Sequence, residues 1–137
     1  LGGTVRTVKE ETQDFMVREI ERLIKSISDY WGTDYSYEYV KGHPPTINDQ
    51  TITNLIRRST KEVLGEDHII EMEHCLMSGD DVAYLSSSVP SVFIEWGGGS
   101  LDKENYPWHH PKFHVNLDAF KYGVAVVTQS ILNFLED

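Results

Sequence analysis

From Asn116 onward the chain carries Leu117, Phe120, Val124, Val127, Ile131 and Phe134 at helical spacing, and Tyr122, Ala125 and Leu132 broaden the apolar face. A helix with so wide an apolar surface is expected to be well buried, as one layer of a fold that supplies others to cover it. Upstream, Phe15, Met16, Ile20, Leu23, Ile24, Ile27 and Tyr30 recur every three or four residues, with Thr12 or Asp14 placed to cap the helix and Gly32 to stop it. Residues 4–8 read as a short extended piece, and Tyr35, Tyr37 and Tyr39 alternate with polar residues as a half-buried strand does. Gly42-His43-Pro44-Pro45 breaks regular structure and marks a domain hinge. Asn48 or Asp49 then caps a helix bearing Ile52, Leu55, Ile56 and Val63, with Gly65 beyond its end. An extended stretch at 68–72, a loop at Met77-Ser78-Gly79, a brief helix over 80–87 and a strand at 92–96 follow. Strands alternating with helices predict an α/β sheet with crossover connections, at least after residue 46.

Charge and length narrow the classes of function. The 137 residues suit a single compact core, and 22 acidic side chains against 12 lysines and arginines give a formal charge of −10, which repels a phosphate backbone. Nucleic acid is an unfavourable partner. No apolar stretch approaches the ~18 residues of a membrane span, and the first residues lack the layout of a secretion signal, so the reading is cytoplasmic, with no membrane partner. A lone Cys75 agrees with a reducing compartment. The opening Leu1-Gly2-Gly3-Thr4-Val5-Arg6 reads like the middle of a domain, as in a fragment.

The chemistry concentrates at Pro107-Trp108-His109-His110-Pro111-Lys112-Phe113, after the Gly97-Gly98-Gly99 loop that leaves the apolar run Val92-Phe93-Ile94. A histidine there sits where open α/β sheets place ligands, and neutral imidazole is the commonest metal ligand. His109, His110 and His114 form the tightest constellation, and a loop bearing His74, Cys75, Asp80 and Asp81 is the other source of donors. No HExxH, paired CxxC or HxH spacing completes a site. Each residue also has a plainer role: Cys75 as a small buried thiol, Asp80 as a helix cap, Asp81 favoured by the helix dipole, His114 as a hydrogen-bonded or solvent-facing side chain. The glycine loop lacks the spacing of a phosphate cradle, and no GxSxG elbow is present.

Taken in order, Gly3-Thr4-Val5-Arg6-Thr7, Gly42-His43-Pro44-Pro45-Thr46-Ile47-Asn48-Asp49, Met77-Ser78-Gly79-Asp80-Asp81-Val82-Ala83-Tyr84 and His109-His110-Pro111-Lys112-Phe113 resemble the C-terminal half of the metal-dependent aminoacylase and carboxypeptidase family. That family includes hippurate hydrolases, N-acyl-amino-acid amidohydrolases and auxin-conjugate hydrolases. The resemblance implies a partial catalytic α/β domain over residues 47–137, preceded by a strand-helix-strand piece of a lid, dimerisation-type domain over residues 1–46. It implies that His109, two residues before the proline of an H-x-P-x-F segment, is a metal ligand, and that Gly79, Asp80, Arg6 and Asn48 lie toward the substrate. The implied cofactor is a pair of divalent metal ions, zinc first, with cobalt or manganese as substitutes. The implied reaction is hydrolysis of the amide bond of an N-acyl amino acid or short peptide by a metal-activated water.

The chain departs from the family pattern at Ser78-Gly79-Asp80-Asp81, where the family carries a glutamate, and at Glu95 and Trp96, where its strand is apolar. The other ligands and the general base fall in the family's N-terminal half, so no catalytic residue is expected in this chain, which alone is predicted inactive. Its expected partners are that missing half, the small substrate and a second copy of the protein. The rival expectation is a non-catalytic α/β interaction or dimerisation module that keeps this scaffold.

Overall fold

The computed structural model describes residues 1–136. Its regular elements are α1 (Glu10–Trp31), α2 (Gln50–Leu64), a single 3-10 turn (Glu66–His68), α3 (Val82–Ser86) and α4 (Asp118–Glu136). The chain divides into two units, Leu1–Ile47 with Met72–Ser91, and Asn48–Glu71 with Val92–Asp137.

In the first unit α1 follows the helical period of its apolar residues and ends where expected. Gly32 adopts the left-handed conformation, φ 60° and ψ 40°, and its N–H donates to the Ser28 carbonyl, a termination that glycine makes without strain. The start differs from expectation. Helix α1 begins at Glu10, before Thr12 and Asp14, and its extended N-cap Lys9 offers no side-chain bond. Glu10 and Glu11 in the first turn supply negative charge to the positive end of the helix dipole instead. The tyrosine segment folds back on this helix: Tyr37 donates its hydroxyl to the Val17 carbonyl at 3.5 Å, and Lys41 bridges Asp14 at 3.0 Å and Glu10 at 3.4 Å. Bonding to Asp14, ahead of its other contacts, holds the Lys41 ammonium above its usual pKa.

In the second unit α2 and α4 pack together. Asp49 is the cap of α2, its carboxylate accepting from the Ile52 N–H at 2.9 Å. The interface is narrow and largely polar. Ser59 and Thr60 of α2 and Val126, Ser130 and Asn133 of α4 are buried, whereas Leu117, Phe120, Val124, Ile131, Phe134 and Leu135 stay exposed. The prediction that α4 is well buried is therefore corrected: only one stripe is covered, because α2 is the sole element with which α4 packs among the described residues. Trp96 lies against the same helix, its indole N–H donating to the Ala119 carbonyl at 3.2 Å, and Gly123 leaves room for the ring.

Among the described residues no segment pairs as a β-strand. The stretches at 35–39 and 92–96, expected as strands, and that at 4–8, expected as extended, lie outside the regular elements, and of the extended stretch expected at 68–72 His68 closes the 3-10 turn. A strand exists only through its ladder of inter-strand hydrogen bonds, and these segments have no ladder partner here. Two isolated pairings stand in for one in the second unit. Asn116 donates its N–H to the Gly98 carbonyl at 2.8 Å, and the Asn48 side chain both donates to the Phe93 carbonyl (3.1 Å) and accepts from its N–H (2.8 Å).

Candidate functional site

The loop that bears His109 is closed from the bottom upward within the second unit. The Asn116 to Gly98 bond ties its two ends. Inside it, the Asn105 amide accepts from the Ser100 N–H and donates to the Ser100 carbonyl, both at 2.8 Å, and Ser100 is buried. Above that clamp the Tyr106 and His110 rings stack, centroids 4.4 Å apart and planes 9° from parallel. His110 Nδ1 accepts from the Lys112 N–H at 3.1 Å, the His110 N–H donates to the Pro107 carbonyl, and its own carbonyl accepts from Phe113 N–H. The Lys112 ammonium lies 5.6 Å from the centroid of the Tyr106 ring, within cation–π range. Tyr106 donates its hydroxyl to Glu104, and that bond raises the phenol pKa above its usual value.

Between the two prolines of this turn His109 has φ 64°. It is the one residue other than glycine with positive φ among the described residues. The left-handed conformation costs an L-residue on the order of 1 kcal/mol and persists where its surroundings impose it. The ring is exposed, and neither of its nitrogens is hydrogen-bonded among the described residues. His110 is the opposite case, with its ring stacked and Nδ1 engaged. His114 Nδ1 lies 3.4 Å from the Lys112 carbonyl, and its Nε2 is buried without a partner, as is Oε1 of Glu95.

The remaining predicted site residues are placed as follows. Gly79 lies under His43: a methyl group at Gly79 would overlap the imidazole, which also meets Tyr84 edge-on with centroids 6.4 Å apart. Asp80 accepts from the Val82 N–H at 2.9 Å, at the start of α3. Asn48 spends both ends of its amide on the Phe93 backbone. Arg6 is exposed and carries no hydrogen bond or ion pair among the described residues. His74, Cys75 and Asp81 are exposed in the first unit, so Cys75 is not the buried thiol that was one expectation for it.

No three His, Cys, Asp or Glu side chains gather into a metal-holding group among the described residues. The donor chemistry of an imidazole at His109 suits one coordination position; the described residues do not gather a full set. Two open clefts carry none of the predicted site residues. One of about 500 Å³ in the first unit includes Glu10, Asp14, Pro44 and Ile47, and one of about 660 Å³ in the second includes Leu55, Arg58 and Phe134. No helix among the described residues is long and apolar enough to cross a membrane.

Sequence reasoning missed three contributors: His43, the Tyr106 to His110 stack, and the Asn48 to Phe93 pairing. His43 appears in the chain break and in a segment of the resemblance without a role of its own, and no local spacing signals its contact with Gly79. Tyr106 lies four residues before His110, a separation with no meaning unless the turn between is known.

Residues 3–133 match the family described as Peptidase family M20/M25/M40. Similar proteins include YhaA of Bacillus subtilis (strain 168), whose name carries the word amidohydrolase, 31% identical over 96% of this chain and 33% of its own length. The N-acetyldiaminopimelate deacetylase of Enterococcus faecalis (strain ATCC 700802 / V583) is 28% identical over 93% of this chain and 32% of its own. The IAA-amino acid hydrolase ILR1-like 4 of Arabidopsis thaliana is 22% identical over 98% and 32%. The chain spans about a third of the length of these relatives. No solved structure matches.

Proposed function

The chain belongs to peptidase family M20/M25/M40, and from that membership we propose that it forms the C-terminal portion of a metal-dependent hydrolase acting on the amide bond of N-acyl amino acids or short peptides. His109 supplies one ligand to a pair of divalent ions, zinc first and cobalt or manganese as substitutes, whose other ligands and general base lie in an N-terminal portion of the same protein. Bound metal supplies an activated water and a polarised carbonyl. The amidohydrolase and deacetylase names of the similar proteins support the reaction class. The observation that carries the role of His109 is its exposed ring, free on both nitrogens among the described residues, beside a His110 that is stacked and hydrogen-bonded.

The other residues act on the substrate. Arg6, a cation with no ion pair among the described residues, attracts the carboxylate of an N-acyl amino acid. Asp80 and Asn48 spend their polar atoms on backbone and shape the loops beside the substrate; Gly79, under His43, keeps its loop free of a side chain. In this reading residues 1–46 belong to the lid of an α/β enzyme and residues 47–137 to its catalytic domain, and a second copy pairs through the lid.

The test is metal content and amide hydrolysis in the complete polypeptide that carries this chain. His109→Ala is expected to remove one of two equivalents of zinc and to lower hydrolysis of an N-acetyl amino acid by about a hundredfold or more. Full zinc content with unchanged hydrolysis overturns the assignment and favours the interaction module. Residues 1–137 alone are expected to show no hydrolysis and to bind zinc no tighter than micromolar, since a single imidazole holds a zinc ion poorly.

A further inference from the structure

We propose that Tyr106 and His110 are positioning residues that fix the direction in which the His109 side chain leaves the turn, through the backbone they clamp, an inference that rests on His109 being a metal ligand. The ring of His109 makes no hydrogen bond among the described residues, yet its backbone holds a conformation that L-residues avoid. Whatever imposes that conformation acts through the neighbours.

His110, the next residue, is held at four points: its face on Tyr106, its Nδ1 by the Lys112 N–H, its own N–H on Pro107 and its carbonyl by Phe113. Acceptance at Nδ1 places the ring proton of neutral His110 on Nε2. Tyr106 is in turn fixed at its hydroxyl by Glu104 and approached by the Lys112 ammonium. Pro107 and Pro111 lock their own φ angles, which leaves residues 108–110 as the adjustable part of the turn, and His110 is pinned. The Cα–Cβ bond of His109 therefore leaves the turn in a set direction, so less backbone order has to be imposed when a metal binds.

The experiment uses the complete polypeptide with zinc and cobalt as probes. Zinc affinity is measured by competition with a chromophoric chelator, and the cobalt-loaded protein is followed by its visible absorption bands. Tyr106→Leu, which removes the flat ring, is expected to weaken zinc binding by about tenfold to a hundredfold and to shift the cobalt bands. Tyr106→Phe, which keeps the ring and loses only the hydroxyl, is expected to restore both. Unchanged affinity and bands in Tyr106→Leu overturn the proposal, as does a lowered melting temperature with unchanged bands, the mark of a merely structural contact. Should Tyr106→Leu not fold, His110→Ala and His110→Phe decide: weakened binding in the alanine variant with recovery in phenylalanine supports the stack, and equal binding in both overturns it. His109→Ala separates the two levels, because full metal retention there removes the ligand assignment, whereas metal loss there with intact binding in Tyr106→Leu removes the stack alone.

Discussion

At Gly79 a single hydrogen separates a tolerated contact from an overlap with the His43 imidazole, whose ring is held by the edge of Tyr84 and by the Pro44 carbonyl, 3.2 Å from Nδ1. Gly79→Ala is expected to lower the unfolding free energy of the complete polypeptide by about 1 kcal/mol, the scale of a modest overpacking. Adding His43→Ala should recover most of that loss in denaturant titration, and additive losses would show that the two residues do not meet. At this scale the sequence showed the parts and not their meeting. Gly79 and His43 both lay in quoted motifs, but their contact joins distant segments and no local pattern encodes it. His109 was legible as a candidate from its place beside Pro111, whereas its positive φ was not, since residue type only weakly favours that conformation for histidine. Asp80 and Asn48 are expected toward the substrate; in the structure Asp80 Oδ1 accepts from the Val82 N–H, as the readable alternative of a helix cap suggests, and the Asn48 amide pairs with the Phe93 backbone.

The helices were the most legible elements, because apolar period, caps and terminal glycines are local signals. Asp49 is the clearest case: Asp49→Ala is expected to cost about 1 kcal/mol of unfolding free energy by loss of the bond to Ile52, and Asp49→Asn should cost much less. The start of α1 was misplaced because charge in its first turn, and not a side-chain cap, serves its free N–H groups. The expected strands rest on apolar runs and alternation alone; the pairing that would make them strands depends on distant segments and is absent among the described residues. Which stripe of α4 meets α2 was also hidden. The contact uses Val126, Ser130 and Asn133, with the Ser59 and Ser130 hydroxyls turned back onto their own helices and Asn133 donating to Ser59 (3.0 Å) and Glu62 (2.8 Å). Small side chains that satisfy themselves locally let two helices approach without a large apolar payload. Asn133→Ala is expected to cost about 1 to 2 kcal/mol, with a double-mutant cycle against Ser59→Ala showing coupling between them.

For the whole molecule the surface area carries the argument. A folded monomer of 15.7 kDa is expected to expose about 7,300 Å², and this chain exposes 11161 Å². Among the described residues Ala83 and Val126 are the buried apolar ones, while Tyr30 is 80% exposed, Leu117 78% and Leu135 74%. Residues 1–137 prepared alone are therefore expected to bind a hydrophobic dye and to sediment as a mixture of associated species, whereas the complete polypeptide should do neither. A monodisperse, dye-silent monomer would show that the short chain covers these faces by itself. One contact in the second unit offers a way to watch α4 settle onto its surroundings. The indole of Trp96, seated over Gly123 and bonded to the Ala119 carbonyl, is the most sheltered of the three tryptophans, with Trp31 and Trp108 well in solvent. Light absorbed there reports on whether the helix is in its seat: a red shift and quenching of the short-wavelength emission would mark its departure, with no label attached to the protein.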